Sequence, residues 1–262
     1  MLENVHVVFD PDFFLKFVLS PSPALLRGLV ATVSAAAIAQ LLGTIIGVVL
    51  AIAGMAPGRV FRGFNQVYIW FFRGTPVLVQ LVLIYFGLPY LVGFDLFPAV
   101  MHLGPVEISG ALIAGIIAFG MHEGAYMSEI TRASITSIPR GQWEAAQAIG
   151  MTSGMTMQRI ILPQALPLLV PALGNQFNNM LKTTSLLSVI GVAEMFRVAQ
   201  QLQAATFMTF EVYLGVSVYY LALTGLWTII QHFIEKRLSR HLRSNRKRES
   251  SVGKSPHPEA AN

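Results

Sequence analysis

Long apolar runs alternate with short polar or basic segments along most of the chain. Five runs are long enough to cross a hydrocarbon core about 30 Å thick, which takes roughly 20 apolar residues as helix. An open strand in lipid would leave its backbone amides unsatisfied, so each run is predicted to be a helix. The predicted spans are 28–53, 76–92, 108–127, 166–192 and 212–234, the fourth being interrupted by polar residues.

The composition indicates a chain that lies in lipid. Hydrophobic residues make up 54% of the 262 and charged residues 12%, whereas a soluble domain carries about 25% charged residues. Cysteine is absent, which excludes disulfides, thiolate metal sites and cysteine nucleophiles. Glu3, Asp10 and Asp12 stand where a cleavable signal peptide would need a basic start and an apolar run. The first span is therefore predicted to act as the insertion signal.

The basic residues predict the orientation of the spans. Fourteen of the 18 Lys and Arg residues lie between the first two spans, between the third and fourth, or after the fifth. Cytoplasmic loops carry this excess, so the N-terminus is predicted outside and the C-terminus in the cytoplasm. Because these charges follow membrane topology and form no basic face, nucleic acid is not a predicted partner.

Three regions follow from these patterns. Residues 1–27 are predicted to be an extracytoplasmic segment and residues 28–235 a transmembrane domain. Residues 236–262 form a basic tail that is expected to bind the anionic membrane surface weakly or to be disordered.

The segment 139–163 is neither as polar as a plain linker nor as apolar as a span. Its first part, 142–149, contains good helix formers and has Glu144 near its start, where the helix dipole favours an anion. Gly150 is placed as a helix terminator. A second short helix, capped by Thr152 or Ser153, is predicted to end at Pro163.

Apolar positions such as Trp143, Ala146 and Ile149 are predicted on one side of this helix pair. The pair is then either an amphipathic connector that rests on the membrane or a projection that docks into another protein. The pattern of apolar positions does not separate these two hypotheses.

The spacing of seven residues in this segment adds a resemblance. They are Glu144, Ala145, Ala146, Gly150, Ile160, Leu162 and Pro163. They resemble the Glu-Ala-Ala loop of bacterial ABC importer permeases, in which Glu-Ala-Ala, three residues, Gly, nine residues, Ile, one residue and Leu-Pro follow in order. In that family the loop forms coupling helices in a groove of the ATPase subunit. The resemblance therefore implies an ATPase-coupling loop at 139–163.

Further motifs are similar to the polar amino-acid branch of this family, the histidine and glutamine type. They are Phe-Arg-Gly-Thr-Pro at 72–76 with Gln80, Gly-Ala-Tyr at 124–126 with Glu129, and Leu-Lys-Thr-Thr-Ser-Leu at 181–186 with Glu194. The resemblance extends from about residue 29 to residue 234. Thr184 departs from it, since many relatives have another residue there.

This resemblance implies an all-α integral membrane protein with five transmembrane helices and the type I ABC importer permease fold. It implies that the chain moves polar amino acids across the bacterial cytoplasmic membrane. The implied partners are an ABC ATPase dimer, a second permease subunit that is identical or a paralogue, an extracytoplasmic solute-binding protein, the lipid bilayer and the amino-acid substrate. No cofactor is implied.

Polar residues within the spans are candidates for a translocation pathway, because an ionisable group near a helix centre costs about 2.5–3.5 kcal/mol. Lys182 lies among Asn, Gln, Thr and Ser residues between 175 and 185. These side chains either join helices through hydrogen bonds or line a path between two permeases. For Glu123, a salt bridge with Lys182 or Arg132 is favoured over contact with a substrate amino group. The candidate pathway residues are Gln80, Glu123, Asn178, Lys182, Thr183 and Ser185.

Gly43 and Gly47 form a small-residue pair that permits close helix approach. The sequence contains no pattern for a nucleotide site: Gly-Lys-Ser at 253–255 resembles the end of a phosphate-binding loop, but Arg248 replaces the first glycine. Neither a metal-ligand cluster nor an activated nucleophile is predicted. The chain is thus expected to be a transport subunit without its own ATPase site and without catalytic residues.

Three alternatives stay open at this stage. The first is a permease of another ABC importer branch that carries a different small solute. The second is an ion-coupled secondary carrier, which would be expected to contain internal repeats and carboxylates at mid-membrane. The third is a membrane enzyme, which the lack of a clustered catalytic set disfavours.

Overall fold

Helices make up most of the protein, which is described by a computed structural model over residues 9–55, 58–104 and 106–252. In chain order the α-helices are α1 (Pro11–Leu19), α2 (Pro23–Met55), α3 (Arg59–Gly74), α4 (Val77–Val82), α5 (Leu88–Val92), α6 (Gly110–Thr136), α7 (Arg140–Ala148), α8 (Ser153–Thr156), α9 (Leu162–Thr183), α10 (Met195–Thr206) and α11 (Thr209–Val252). Two π turns, Leu83–Gly87 and Met157–Ile161, join α4 to α5 and α8 to α9, and a 3-10 helix, Thr184–Ile190, follows α9. Strands β1 (Met101–Leu103) and β2 (Val106–Ile108) form an antiparallel hairpin before α6.

The centre of the fold is the pair α2 and α6, which pack against each other along much of their length. A Cβ on Gly43 would lie 2.6 Å from the Cβ of Glu123, and one on Gly47 would collide with Met127. The predicted close approach at this glycine pair is therefore confirmed. Buried alanines of both helices continue the contact, so the two backbones lie nearer than larger side chains would allow.

In the part of the chain that the structure describes, three helical stretches are long and apolar enough to cross a membrane: Pro23–Met55, Ser153–Ile190 and Thr209–Leu238. The helices Arg59–Gly74 and Val77–Val92 make a fourth if they count as one span bent by 105°. Helix α6 is 27 residues long, which is also sufficient length to cross a bilayer. His122 and Glu123 interrupt its apolar sequence.

Helix α3 lies in a stretch for which the sequence predicts only a basic connection between the first two spans. The sharp bend after this helix is held by Gln80, whose Nε2 donates to the carbonyl oxygens of Phe72 at 2.9 Å and Thr75 at 3.0 Å. The same nitrogen donates to Thr75 Oγ1 at 2.7 Å. The chain turns at this point because one buried amide satisfies the carbonyls that the broken helix leaves free.

The prediction that Pro163 ends a short helix is wrong. Helical structure continues from Ser153 to Thr183. Directly before the proline, the Leu162 N–H donates to the Met157 carbonyl across the π turn. A π turn widens the helix by one residue, so the missing N–H and the ring of Pro163 are accommodated without ending the helix.

Glu194 joins the connection between α9 and α11 to the rest of the fold. Its carboxylate is fully buried and accepts from the N–H groups of Phe196 at 2.9 Å and Arg197 at 2.6 Å, which caps α10. It also accepts from Thr32 Oγ1 at 3.3 Å and the Tyr220 hydroxyl at 3.2 Å. Burial raises the pKa of the Glu194 carboxyl above its ordinary value, and these hydrogen bonds act in the opposite direction.

The basic tail begins as a helix. The backbone of α11 stays helical to Val252, well beyond residue 235. For 236–252 the structure therefore contains a helix where the sequence allowed disorder. Residues 253–262 lie outside the described residues, and disorder there stays a prediction.

Candidate functional site

The segment 139–163 forms the predicted pair of helices about a glycine. Gly150 has φ +82°, a left-handed conformation that suits glycine. The Met151 N–H donates to the Ala146 carbonyl at 3.0 Å and the Gly150 N–H donates to the Gln147 carbonyl at 2.9 Å. This is the Schellman pattern of helix ending. The next helix starts with Thr152 as its cap, since its side chain accepts from the Met155 N–H at 3.3 Å.

One side of this helix pair packs on the protein. Ala146 is buried, and Trp143 and Ile160 are partly buried in a cluster with Ile135 and Ile161. These residues anchor the segment to the end of α6 and to the turn before α9. The apolar side predicted at Trp143 and Ala146 is therefore confirmed.

The opposite side is exposed. Glu144, Ala145 and Gly150 lie on it, and Leu162 and Pro163 are exposed further along the chain. The predicted place of Ile149 beside Trp143 and Ala146 is wrong, because Ile149 is 78% exposed. Helix α7 ends at Ala148, and Ile149 is its C-cap, where the turn into Gly150 directs this side chain outward. With Met155, 41% exposed, it adds apolar surface to a projecting segment.

A second candidate site is an open polar cavity of about 210 Å³ between α6 and α9. Its lining includes Glu123 and Thr183, two of the predicted pathway residues. The other lining residues are Val77, Phe119, His122, Tyr126, Gln176, Asn179 and Met180. We call it the Glu123 cavity.

Glu123 is held by neutral donors, so the predicted salt bridge with Lys182 or Arg132 is wrong. Its Oε1 accepts from Gln40 Nε2 and from Gln176 Nε2, each at 3.2 Å, and Oε2 accepts from Gln176 Nε2 at 3.3 Å. Arg132 instead forms a bidentate pair with Glu129 at 3.1 Å. No cation pairs with Glu123 among the described residues. Its carboxylate faces the cavity with only amide partners.

Gln80 lies behind the cavity and not on its wall. It is 2% exposed, and its Oε1 accepts from His122 Nδ1 at 3.0 Å. His122 lines the cavity, and its ring packs against the Tyr126 ring with 5.1 Å between the ring centroids. Gln80 therefore connects the bend of α3 and α4 to the cavity wall, and its place on a translocation pathway stays a prediction.

The remaining predicted pathway residues face other neighbours. Asn178 points toward α11, where its Nδ2 donates to Thr228 Oγ1 at 3.4 Å. Lys182 and Ser185 line a separate open cavity of about 290 Å³ together with Tyr213 and Tyr220. Within the described residues, the Lys182 ammonium has no ion pair with an acidic side chain.

Several groups of the Glu123 cavity are not predicted from the sequence. Gln40 lies far away in the sequence, and Gln176 and Asn179 were noted only as part of a polar segment. His122 is not among the predicted pathway residues. A usable signal was present: His122, Glu123 and Tyr126 have helical spacing on one face of α6. Over the described residues, no group of His, Asp and Glu forms a metal site.

Comparison with known proteins shows that the chain matches a protein family. A family model described as "Binding-protein-dependent transport system inner membrane component" matches residues 43–240. The probable amino-acid permease protein YxeN of Bacillus subtilis (strain 168) is 38% identical over 229 residues, which cover 87% of this chain and 97% of that protein. The L-cystine transport system permease protein TcyB of the same organism is 39% identical over 222 residues, 84% of this chain and 88% of that protein.

Solved structures are similar as well. The crystal structure of an amino acid ABC transporter with histidines matches with a TM-score of 0.75 and 35% identity, over 86% of this chain and 98% of that chain. An inward-facing structure of the MetNI methionine ABC transporter matches with a TM-score of 0.66 and 19% identity, over 82% and 95% of the two chains. At that identity the second match concerns the fold alone.

Proposed function

Because the chain belongs to the binding-protein-dependent transport system inner membrane component family, we propose that it is the permease subunit of an ATP-driven importer of polar amino acids. Relatives at 38% and 39% identity are named as an amino-acid permease and an L-cystine permease. The solved transporter at 35% identity is an amino acid ABC transporter. These relatives favour the amino-acid branch over an importer of another solute and over an ion-coupled carrier.

The observation that carries the proposal is the projecting helix pair at 140–156. One side of it packs against an apolar cluster through Trp143, and the other side is exposed at Glu144 and Ile149. Exposed apolar residues on a short, anchored projection suit docking into a groove of another protein. We assign this surface to an ATPase subunit, with Glu144, Ala145, Gly150, Leu162 and Pro163 at or near the contact.

Movement of the ATPase pair would then reach the membrane helices through the same segment. It continues without interruption into α9, and α9 carries Gln176 and Thr183 of the Glu123 cavity. ATP binding favours one arrangement of the ATPase pair, so it biases the permease toward the matching state. This is alternating access driven by nucleotide, and the chain itself needs no ATPase site.

For the arrangement in the membrane we propose five spans with the N-terminus outside and the C-terminus in the cytoplasm. The spans are α2, the stretch of α4 and α5, α6, the helix of α8 and α9, and α11. The distribution of Lys and Arg supports this orientation. It places the segment 140–156 and the end of α11 on the cytoplasmic side.

We assign the Glu123 cavity to the substrate path. Glu123 faces it with a carboxylate that has no cation partner in the described part of the chain, and Asn179 and Thr183 add neutral polar groups. A carboxylate in this setting suits the ammonium group that every free amino acid carries. A second permease, identical or a paralogue, would close the path on its open side, and an extracytoplasmic solute-binding protein would deliver the substrate.

The test is reconstitution of the chain in vesicles with its ATPase and solute-binding protein. Uptake of a labelled polar amino acid should require ATP and the binding protein, and the loaded binding protein should stimulate ATP hydrolysis. Uptake that needs neither ATP nor the ATPase subunit, but responds to an ion gradient, would overturn the proposal.

A further inference from the structure

Helix α3 has three distinct sides. Asn65 and Phe72 are buried on the side that packs against α2 and α6. A second side is apolar and exposed, with residues spaced four, three and four apart: Val60, Phe64, Val67 and Phe71. A third side is polar and exposed, with Arg62, Gln66 and Arg73. At 100° per residue the second and third sides face nearly opposite directions. We call them the apolar stripe and the polar stripe.

Helix α3 runs across α6 and not along it. The Ser128 hydroxyl donates to Asn65 Oδ1 at 3.4 Å, and Arg73 Nη1 lies 3.6 Å from Glu129 Oε2. Asn65 and Arg73 are about 12 Å apart along α3, whereas Ser128 and Glu129 are only about 1.5 Å apart along α6. Helix α3 also stands at 105° to the apolar stretch Val77–Val92. Since α6 and that stretch are proposed spans, α3 lies close to the membrane plane.

The level of α3 corresponds to the inner boundary of the bilayer. Ser128 comes 18 residues after Gly110, the first residue of α6, which places it about 27 Å along that helix. The hydrocarbon core is about 30 Å thick, so α3 meets α6 near the cytoplasmic edge of the core in the proposed orientation. On α2 the Asn65 side chain lies against Gly54, the residue before the end of that helix. Both contacts give the same depth.

The two stripes face opposite ends of α6. Tyr68 lies beside the apolar stripe, and its hydroxyl donates to the Met121 carbonyl at 2.7 Å. Arg73 of the polar stripe pairs with Glu129, which is eight residues nearer the cytoplasmic end of α6 than Met121 is. The apolar stripe therefore faces the middle of the membrane, and the polar stripe faces the cytoplasm.

We propose that α3 is an interfacial helix embedded in the cytoplasmic leaflet, with the apolar stripe among the acyl chains and the polar stripe at the headgroups. Amphipathic helices lie in this way with the apolar face about 5–10 Å into the boundary between headgroups and acyl chains. Trp70 is 75% exposed at the border of the two stripes, and tryptophan is enriched at this level of a bilayer. The exposed Arg59 and Arg62 add positive charge, which suits the anionic phospholipids of this leaflet.

A spanning helix of a second permease does not match the apolar stripe as well as lipid does. The stripe from Val60 to Phe71 is about 17 Å long, whereas a helix with its side chains is about 10–12 Å wide. A helix that crosses the bilayer would therefore cross α3 and cover only part of the stripe. Acyl chains can fill its whole length.

The same helix is joined to the Glu123 cavity. The Arg73 guanidinium lies over the Tyr126 ring, 5.3 Å from its centroid, and Tyr126 lines the cavity. The Phe72 carbonyl accepts from Gln80, whose Oε1 in turn bonds His122 on the cavity wall. One helix thus connects the proposed lipid contact with the candidate site.

The proposal rests on the proposed function in placing α6 in a bilayer, and its test uses neither substrate nor ATPase. Single cysteines are introduced into the full-length chain, which has none of its own. Phe64→Cys and Val67→Cys probe the apolar stripe and Gln66→Cys the polar stripe. Ile38→Cys, at a 51% exposed residue near the middle of α2, is the control. Each variant is spin-labelled and reconstituted in vesicles that contain phosphatidylglycerol, and electron paramagnetic resonance measures access of the label to oxygen and to a water-soluble nickel complex.

Labels at Phe64→Cys and Val67→Cys should favour oxygen severalfold over the nickel complex and lie about 5–10 Å below the headgroups. The label at Gln66→Cys should favour the nickel complex, and the label at Ile38→Cys should lie about 15 Å deep, at half the thickness of the core. Unchanged thermal unfolding in detergent shows that each variant keeps the fold.

Two results would overturn this inference alone while the Ile38→Cys label lies in lipid. The first is a preference for the nickel complex at Phe64→Cys and Val67→Cys, because the apolar stripe would then face water. The second is loss of access to both reagents at these positions, because a protein surface would then cover the stripe. A label at Ile38→Cys that favours the nickel complex would overturn the membrane arrangement itself, and this inference with it.

Discussion

Gly43 on α2 and Glu123 on α6 approach so closely that a Cβ on the glycine would lie 2.6 Å from the Cβ of the glutamate. Gln40, one turn earlier on α2, donates to Glu123 Oε1 at 3.2 Å. The close helix contact therefore also brings an amide donor to the carboxylate of the candidate cavity. The hydrogen bond from Gln40 to Glu123 thus depends on the close packing of α2 against α6.

Gly43→Ala should destabilise the protein by about 1–3 kcal/mol, because the added methyl group forces α2 away from α6. Thermal unfolding in detergent measures this, and uptake should fall with it as Gln40 withdraws from Glu123. Gly63→Ala is the control, since a Cβ there meets nothing within 4 Å. Equal stability of the two variants would show that the α2 and α6 contact is looser than described.

Glu123→Gln should raise the KM for uptake roughly 10- to 100-fold, the effect of losing a charged hydrogen bond worth about 1.5–3 kcal/mol. Assembly with the ATPase should be unchanged, because the amide keeps the shape of the carboxylate. Asp95→Asn makes the same chemical change at an exposed residue and should transport normally. An unchanged KM in Glu123→Gln would remove Glu123 from substrate binding.

Gly150→Pro should abolish transport and weaken co-purification of the ATPase while leaving membrane insertion intact. Proline fixes φ near −65°, whereas Gly150 has φ +82°, and the N–H that donates to the Gln147 carbonyl is lost. Gly154→Ala, in a neighbouring helix with free space around it, should be tolerated. Normal uptake by Gly150→Pro would show that the segment is a passive connector.

Glu194→Ala should cost at least about 2 kcal/mol of stability, because it removes the cap of α10 and leaves buried donors of Thr32 and Tyr220 without an acceptor. Glu194→Gln keeps one acceptor oxygen and should lose less. Glu107→Ala, at a 70% exposed side chain, should stay within about 0.5 kcal/mol. Thermal unfolding in detergent ranks the three variants, and an effect of Glu194→Ala no larger than that of Glu107→Ala would contradict the described hydrogen bonds.

The orientation can be tested with single cysteines, since the chain has none of its own. In intact cells an impermeant thiol reagent should label Ser22→Cys and spare Ser251→Cys, and both should react after the membrane is opened. Labelling of Ser251→Cys from outside would reverse the proposed topology.

The segment 139–163 shows how far local rules reach. The helix ending at Gly150 is confirmed, and Thr152 is the cap out of the two predicted candidates, Thr152 and Ser153. A helix ending and a cap depend on hydrogen bonds within a few residues. Pro163 was predicted wrongly because a π turn, which the sequence pattern did not reveal, allows the helix to continue. Ile149 was assigned to the wrong side because the chain leaves the helix there.

The sequence by itself determined the membrane character, most of the long apolar helices and the helix pair about Gly150, since hydropathy, capping and glycine placement act over short distances. Only the tertiary structure decided what the polar residues of α9 face. Successive residues of a helix point about 100° apart, so Gln176 reaches Glu123, Asn178 reaches Thr228 and Lys182 lines another cavity. Which neighbour each one meets depends on α6 and α11, whose relevant residues lie about 50 positions away in the chain. No local pattern encodes such a pairing, because it is fixed by how the helices pack.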